Sequence, residues 1–140
     1  MITFATQSVA MPDLSRFDYK DWIVRTAMSH GCKTGNINYL FCDDETIIDY
    51  NCRFLGHDYY TDVITFDDSA NGTINGDILI SLDTVRTNAE KFSASYKDEL
   101  DRVIIHGILH LCGINDKGPG EREIMEAAEN AALASRKSAK

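Results

Sequence analysis

His106 and His110 stand four residues apart in an otherwise apolar run, and a carboxylate, Asp116, follows shortly after. Imidazole nitrogen and carboxylate oxygen are ordinary ligands of divalent transition metals. On an α-helix a four-residue step returns to about 40° from its start, so both imidazoles share one face and can address a common atom. Two polar rings in a buried helix each need a partner, and one bound cation satisfies both. Gly113 can adopt the left-handed conformation that ends a helix and turns Ile114, Asn115 and Asp116 back towards the histidines. The expected ligand set is therefore His106, His110 and Asp116 around one divalent ion. Three protein ligands with a fourth position open is the catalytic rather than the structural pattern for zinc. The carboxylate makes the site harder, so zinc leads while iron, manganese and nickel stay open. The plainer alternatives are hydrogen-bonded core histidines and an Asp116 that only caps the next helix.

The element that must hold this pair is a helix over about 97–112. Leu100, Val103, Ile104, Ile105, Ile108, Leu109 and Leu111 make it apolar nearly all round, which predicts burial. Arg102, His106 and His110 form its one polar stripe. Upstream, residues 2–10 read as a strand and 17–30 as a helix burying Trp22, Ile23 and Ala27. Ile37, Tyr39 and Phe41 alternate through a strand over 36–42. A short helix follows from Asp43 or Asp44 to Phe54, ended by Gly56. Residues 61–66 are β-branched and aromatic, hence a strand. A hairpin-like loop over 67–76 leads to a central strand at 77–82. Asp83 caps a helix to about 92, and a last helix runs from Pro119 to about 134. These elements predict one α+β domain over 1–140, with a single mixed sheet of about four strands covered by helices and the metal-binding helix in the core.

Composition bounds the rest. The 140 residues carry 22 acidic and 14 basic side chains, a net charge of −8. That balance speaks against a nucleic-acid partner, although a groove can be locally positive and a bound cation adds charge that composition omits. No apolar stretch reaches the roughly 20 residues of a membrane span, and the N-terminus lacks signal-peptide character, so a cytoplasmic protein without a membrane partner is expected. Cys32, Cys42, Cys52 and Cys112 form no C-x-x-C pair; Cys42 and Cys52 read as small buried residues. The acidic last helix, Glu121 to Glu129, reads as a solvated face.

The run His106-Gly-Ile-Leu-His110-Leu-Cys-Gly113-Ile-Asn-Asp116 resembles the H-G-x-L-H-L-x-G-x-D-H signature of the YbeY family. Thr61-Asp-Val-Ile-Thr-Phe66 is similar to its P-T-D-V-L-S-F, and Gly76-Asp-Ile-Leu-Ile80 to its G-D-I-x-I strand. Asn51 and the Gly56-x-Asp58 step fall where the family has L-N and G-K-D. The resemblance spans roughly residues 40–130. It departs in placing Asp116 at the third histidine, Leu55 at an arginine thought to serve catalysis, and His57 and Tyr60 at a lysine and a proline. Arg53 or Arg102 could supply the missing cation, and His57, Thr61 and Asp62 are candidates for contact with substrate.

The resemblance implies a metal-dependent endoribonuclease acting on single-stranded ribosomal RNA in small-subunit maturation and ribosome quality control. A water activated by the ion would hydrolyse the phosphodiester. The cleft would lie under the metal helix and over the 61–66 strand. The implied partners are ribosomal RNA and the ribosomal particle, with ribosome-associated proteins in addition. Two other readings compete. A metallopeptidase also uses two histidines at i, i+4, but needs a glutamate where Gly107 stands. A non-catalytic assembly factor could use the metal only to staple helix to turn, and an acidic surface suits a protein partner.

Overall fold

The computed structural model describes residues 1–56 and 61–136. Four strands form one mixed sheet in the order β1-β2-β4-β3, with β1 Ile2–Thr6, β2 Lys33–Cys42, β3 Val63–Asp67 and β4 Thr73–Ser81. β1, β2 and β4 run parallel, and β3 returns antiparallel on β4 as an edge. The helices are α1 Tyr19–Ser29, α2 Asp44–Tyr50, α3 Leu82–Lys91, α4 Tyr96–Leu111 and α5 Glu121–Ala134. The expected α+β class, mixed four-stranded sheet and buried candidate metal helix are all present.

The alternation along β2 sorts the two faces of the sheet. Ile37, Tyr39 and Phe41 are buried with Ile78 and Ile80 of β4 against α1 and α4. Cys42 and Leu79 face the other way, alongside Ile64 of β3, and pack with Ile47 of α2. A period of two puts successive side chains on opposite faces, so one strand serves both cores.

α4 is the central helix. Ser95 caps it, its side chain accepting from the Asp98 amide at 3.1 Å. Ile104, Ile105, Ile108 and Leu109 are fully buried. The Tyr39 hydroxyl donates to the Ile104 carbonyl at 2.8 Å, tying the helix to β2. Gly107 explains how closely α4 sits on the sheet. A Cβ there would lie 2.9 Å from the Ile78 side chain of β4, so only glycine allows this approach. Gly113 ends the helix at φ +97°, as its sequence position predicts. The buried Asp101 of α4 accepts from Arg16, Tyr19 and Arg136, and the Trp22 indole of α1 donates to the Ala132 carbonyl of α5 at 2.8 Å.

Several expected boundaries shift for local reasons. β1 stops at Thr6, because Ser8 takes φ +66°. β2 begins at Lys33, pairing with β4 across an irregularity between Thr34 and Ile37. The expected 67–76 loop is a tight hairpin: Asn71 and Gly72 both have positive φ, and Ala70 and Thr73 exchange backbone hydrogen bonds at 3.0 Å. That is the Asn-Gly turn whose twist matches antiparallel strands. α3 is capped by Ser81 rather than Asp83, whose carboxylate instead accepts from the Asp44 amide at 3.0 Å. Pro119 lies outside α5, which begins after Gly120 at φ +76°. The chain from Asn51 to Leu55 widens to a π-helical turn before Gly56 ends it in the left-handed region. Cys52 is exposed on that turn rather than buried; Cys42 is buried as expected.

Candidate active site

α4, the β3 edge and α5 enclose a cleft of about 840 Å³. Thr61, Asp62 and β3 line one wall, and Arg102, His106 and His110 of α4 the other, with Asp116, Glu126 and Glu129 beyond them. The candidate ligands thus share one cavity with Thr61 and Asp62.

The ligand candidates do not sit equivalently. His106 presents Nε2 to Asp116 Oδ2 at 3.5 Å, and its Nδ1 meets Glu129 Oε2 at 2.7 Å. His110 lies one turn on, its ring nearly parallel to that of His106, with centroids 6.4 Å apart. The His110 Nδ1 atom is buried and has no hydrogen-bond partner among the described residues. Among the described residues no three His, Cys, Asp or Glu side chains draw together into a closed ligand cluster.

The donor chemistry nevertheless fits a divalent ion. Two ligands at about 2.0–2.1 Å on a tetrahedral ion stand roughly 3.3 Å apart, close to the separation between His106 and Asp116. A histidine ligand whose second nitrogen is held by a carboxylate is the usual arrangement at metal sites.

Charge in the cleft is dominated by carboxylates. Burial pushes Asp62 above the ordinary aspartate range, more strongly than the nearby His106 pulls it down. Burial likewise raises Glu99, with Asp62 adding repulsion and Arg102 opposing. At His106 burial lowers the pKa, but the Glu129 hydrogen bond and the charges of Glu129, Asp116 and Asp62 together outweigh it and raise the group. Burial would raise Glu129, yet its bonds to His106 and Arg102 hold it below the usual glutamate range. Glu129 is therefore a carboxylate.

The two candidate cations have prior engagements. Arg102 donates to Glu129 Oε1 at 2.7 Å and to Asn130 Oδ1 at 2.8 Å. Arg53 is exposed, pairs with Asp49 at 3.1 Å and is not among the cleft-lining residues. Leu55 lines the cleft, as do Lys117 and Arg122, basic residues that the sequence pattern did not single out. His57, Asp58 and Tyr60 lie outside the described residues.

Glu129 overturns the expectation of a wholly solvated acidic helix. Glu121, Glu123 and Glu126 follow that expectation in part, but Glu129 is 8% exposed beside Met125 and Ala132, both buried. Met125, Glu129 and Ala132 lie at i, i+4 and i+7, the spacing of an inward face. That periodicity was the available signal. Glu99, also buried in the cleft wall, had a similar one, standing at i, i+4 and i+7 with Val103 and His106.

A helix-borne histidine pair, a facing carboxylate and an open cleft at a sheet edge fit a hydrolase. The chain matches the family described as Endoribonuclease YbeY over residues 3–137 and belongs to that family of RNA-cleaving hydrolases. It is 60% identical over 135 residues to the endoribonuclease YbeY of Bacteroides thetaiotaomicron, covering 96% of this chain and 98% of that one. The Porphyromonas gingivalis protein of the same name is 52% identical over 132 residues, 94% of this chain and 87% of its own. The solution structure of TM1509 from Thermotoga maritima superposes with a TM-score of 0.66 at 26% identity, covering 95% of this chain and 87% of that one.

Proposed function

We propose that this protein is a metal-dependent endoribonuclease that hydrolyses phosphodiester bonds of single-stranded ribosomal RNA during small-subunit maturation and ribosome quality control. The observation that carries the reading is the shared cleft, where His106, His110 and Asp116 face the wall formed by Thr61, Asp62 and β3. Those three residues would hold one divalent ion, zinc before iron, manganese or nickel. Such an ion supplies an activated water and neutralises charge developing on the phosphoryl group.

The chain's own residues do the remaining work. Thr61 and Asp62 stand where an RNA strand passes β3, and Lys117 and Arg122 offer charge to its phosphates. Carboxylates elsewhere in the lining repel phosphate, so backbone contacts concentrate at those two cations. An unpaired strand can thread between a sheet edge and two helices, whereas a stiff duplex cannot follow that path. The protein would work on ribosomal particles in the cytoplasm; separately, no helix of the described residues is long and apolar enough to cross a membrane.

The peptidase alternative loses its general base, because Gly107 is pressed against Ile78 and carries no side chain. The test of the main reading is cleavage of an unstructured RNA by the metal-loaded protein. Folded His106→Ala and His110→Ala variants should lose at least about 100-fold in rate, in line with loss of a catalytic ion. Cleavage that survives both substitutions sinks the reading. A folded His110→Ala protein that still supports ribosome assembly in cells would favour the non-catalytic factor.

A further inference from the structure

Both oxygens of Glu129 are occupied, and by different kinds of group. Oε1 accepts from Arg102 at 2.7 Å, and Oε2 meets His106 Nδ1 at the same distance. Arg102 is fixed in turn by Asn130 Oδ1 at 2.8 Å. The result is a chain of four side chains, two on α4 and two on α5, ending on the imidazole that faces Asp116.

We propose that Glu129 is the positioning residue of this site: braced by Arg102, it holds His106 with the proton on Nδ1 and the Nε2 lone pair turned into the cleft towards Asp116. An ionised carboxylate is acceptor-only, so the proton in the Glu129–His106 bond belongs to the ring. Free neutral imidazole has either nitrogen available for the proton, and the bond that one nitrogen makes decides the state of the other. Arg102 adds a second restraint. Because it fills Oε1, Glu129 stays behind His106 as a support and does not enter the ligand set. His110 has no such support on Nδ1. The site is therefore built around one oriented histidine, and Arg102 serves by holding Glu129 rather than by facing substrate. The inference rests on the proposed function only for the statement that His106 is a ligand.

The test reads the ring and the ion separately from RNA cleavage. Two-bond proton–nitrogen spectra of metal-free protein, at a pH where the imidazoles are neutral, should show His106 protonated on Nδ1. In Glu129→Gln the Nε2-protonated form of His106 should appear while the His110 signals stay in place. Zn2+ affinity, measured by competition with a chromophoric chelator, should fall about 10–100-fold, the usual effect of losing such a support. Arg102→Gln leaves the carboxylate in place and should move both readouts in the same direction by less. That variant decides the question if Glu129→Gln does not fold. General loosening of the helix pair would disturb His106 and His110 alike and would overturn the proposal, as would a folded variant in which either the His106 tautomer or the Zn2+ affinity is unchanged. Wild-type protein that binds Zn2+ but cuts no RNA would remove the proposed function and leave this inference standing.

Discussion

Asp62 shows what one residue costs the fold on behalf of the cleft. Its carboxyl lines the cleft and accepts from Asn88 Nδ2 at 3.5 Å, and burial raises its pKa above the unfolded value. A raised carboxylate pKa favours the protonated form in the folded state, so its favourable contribution is complete below the unfolded pKa of about 3.9 and is lost as pH rises through the folded value. At neutral pH the ionised group therefore destabilises the protein. Asp62→Asn should raise the melting midpoint of chelator-treated protein at neutral pH, with the advantage shrinking to nothing under acid conditions. A calorimetric pH series checks it, and a variant less stable than wild type at neutral pH would contradict the sign. At this scale the sequence was legible where polarity broke an apolar pattern. His106 and His110 stand out in α4 for that reason. Glu129 did not, because its helix is rich in exposed acids and one inward glutamate is masked by its neighbours.

The elements were legible wherever a period was long and consistent. β2 buries Ile37, Tyr39 and Phe41, as their alternation requires, and α4 begins and ends within a residue of its expected limits. The misplaced boundaries lie where side chains do tasks that periodicity does not report. Ser81 ends a strand and caps a helix at once, while Asp83 serves α2. The separation between α4 and β4 is likewise set by a residue with no side chain. Gly107→Ala places a methyl 2.9 Å from Ile78. Alanine gains about 1 kcal/mol over glycine in helix propensity, but overpacking costs about 1–3 kcal/mol. A net loss of up to about 2 kcal/mol in a denaturant titration is expected. In an Ile78→Ala background, itself destabilised by the cavity it leaves, the added penalty of Gly107→Ala should shrink, since the two positions share one contact and their effects cannot add.

At the level of the whole molecule, a net charge of −8 and a ribonucleic acid substrate have to be reconciled. Of the basic residues that line the cleft, Arg102 is spent on Glu129 and Asn130, leaving Lys117 and Arg122 to meet phosphate. Each phosphate contact to a single strand adds about 0.7 to the salt slope. The plot of log kcat/KM against log salt should therefore fall with a slope of only about −1 to −2. Lys117→Gln combined with Arg122→Gln should flatten it to near zero. A much steeper wild-type slope would mean that RNA lies across a surface beyond this cleft. Composition could not foretell this outcome, because it sums charge over the molecule while binding samples a few ångströms of it.

The span of the Trp22–Ala132 bond also sets an order of events. It joins the first helix to the last across 110 positions, and the helix so anchored carries Glu129, which meets His106 from 23 positions downstream. A chain is made from its N-terminus, so α4 is synthesised before α5. During that interval the sheet and the two histidines can assemble, but His106 has no carboxylate behind it. Docking of α5 supplies it. A nascent copy therefore acquires its finished site only once α5 has been made and has docked.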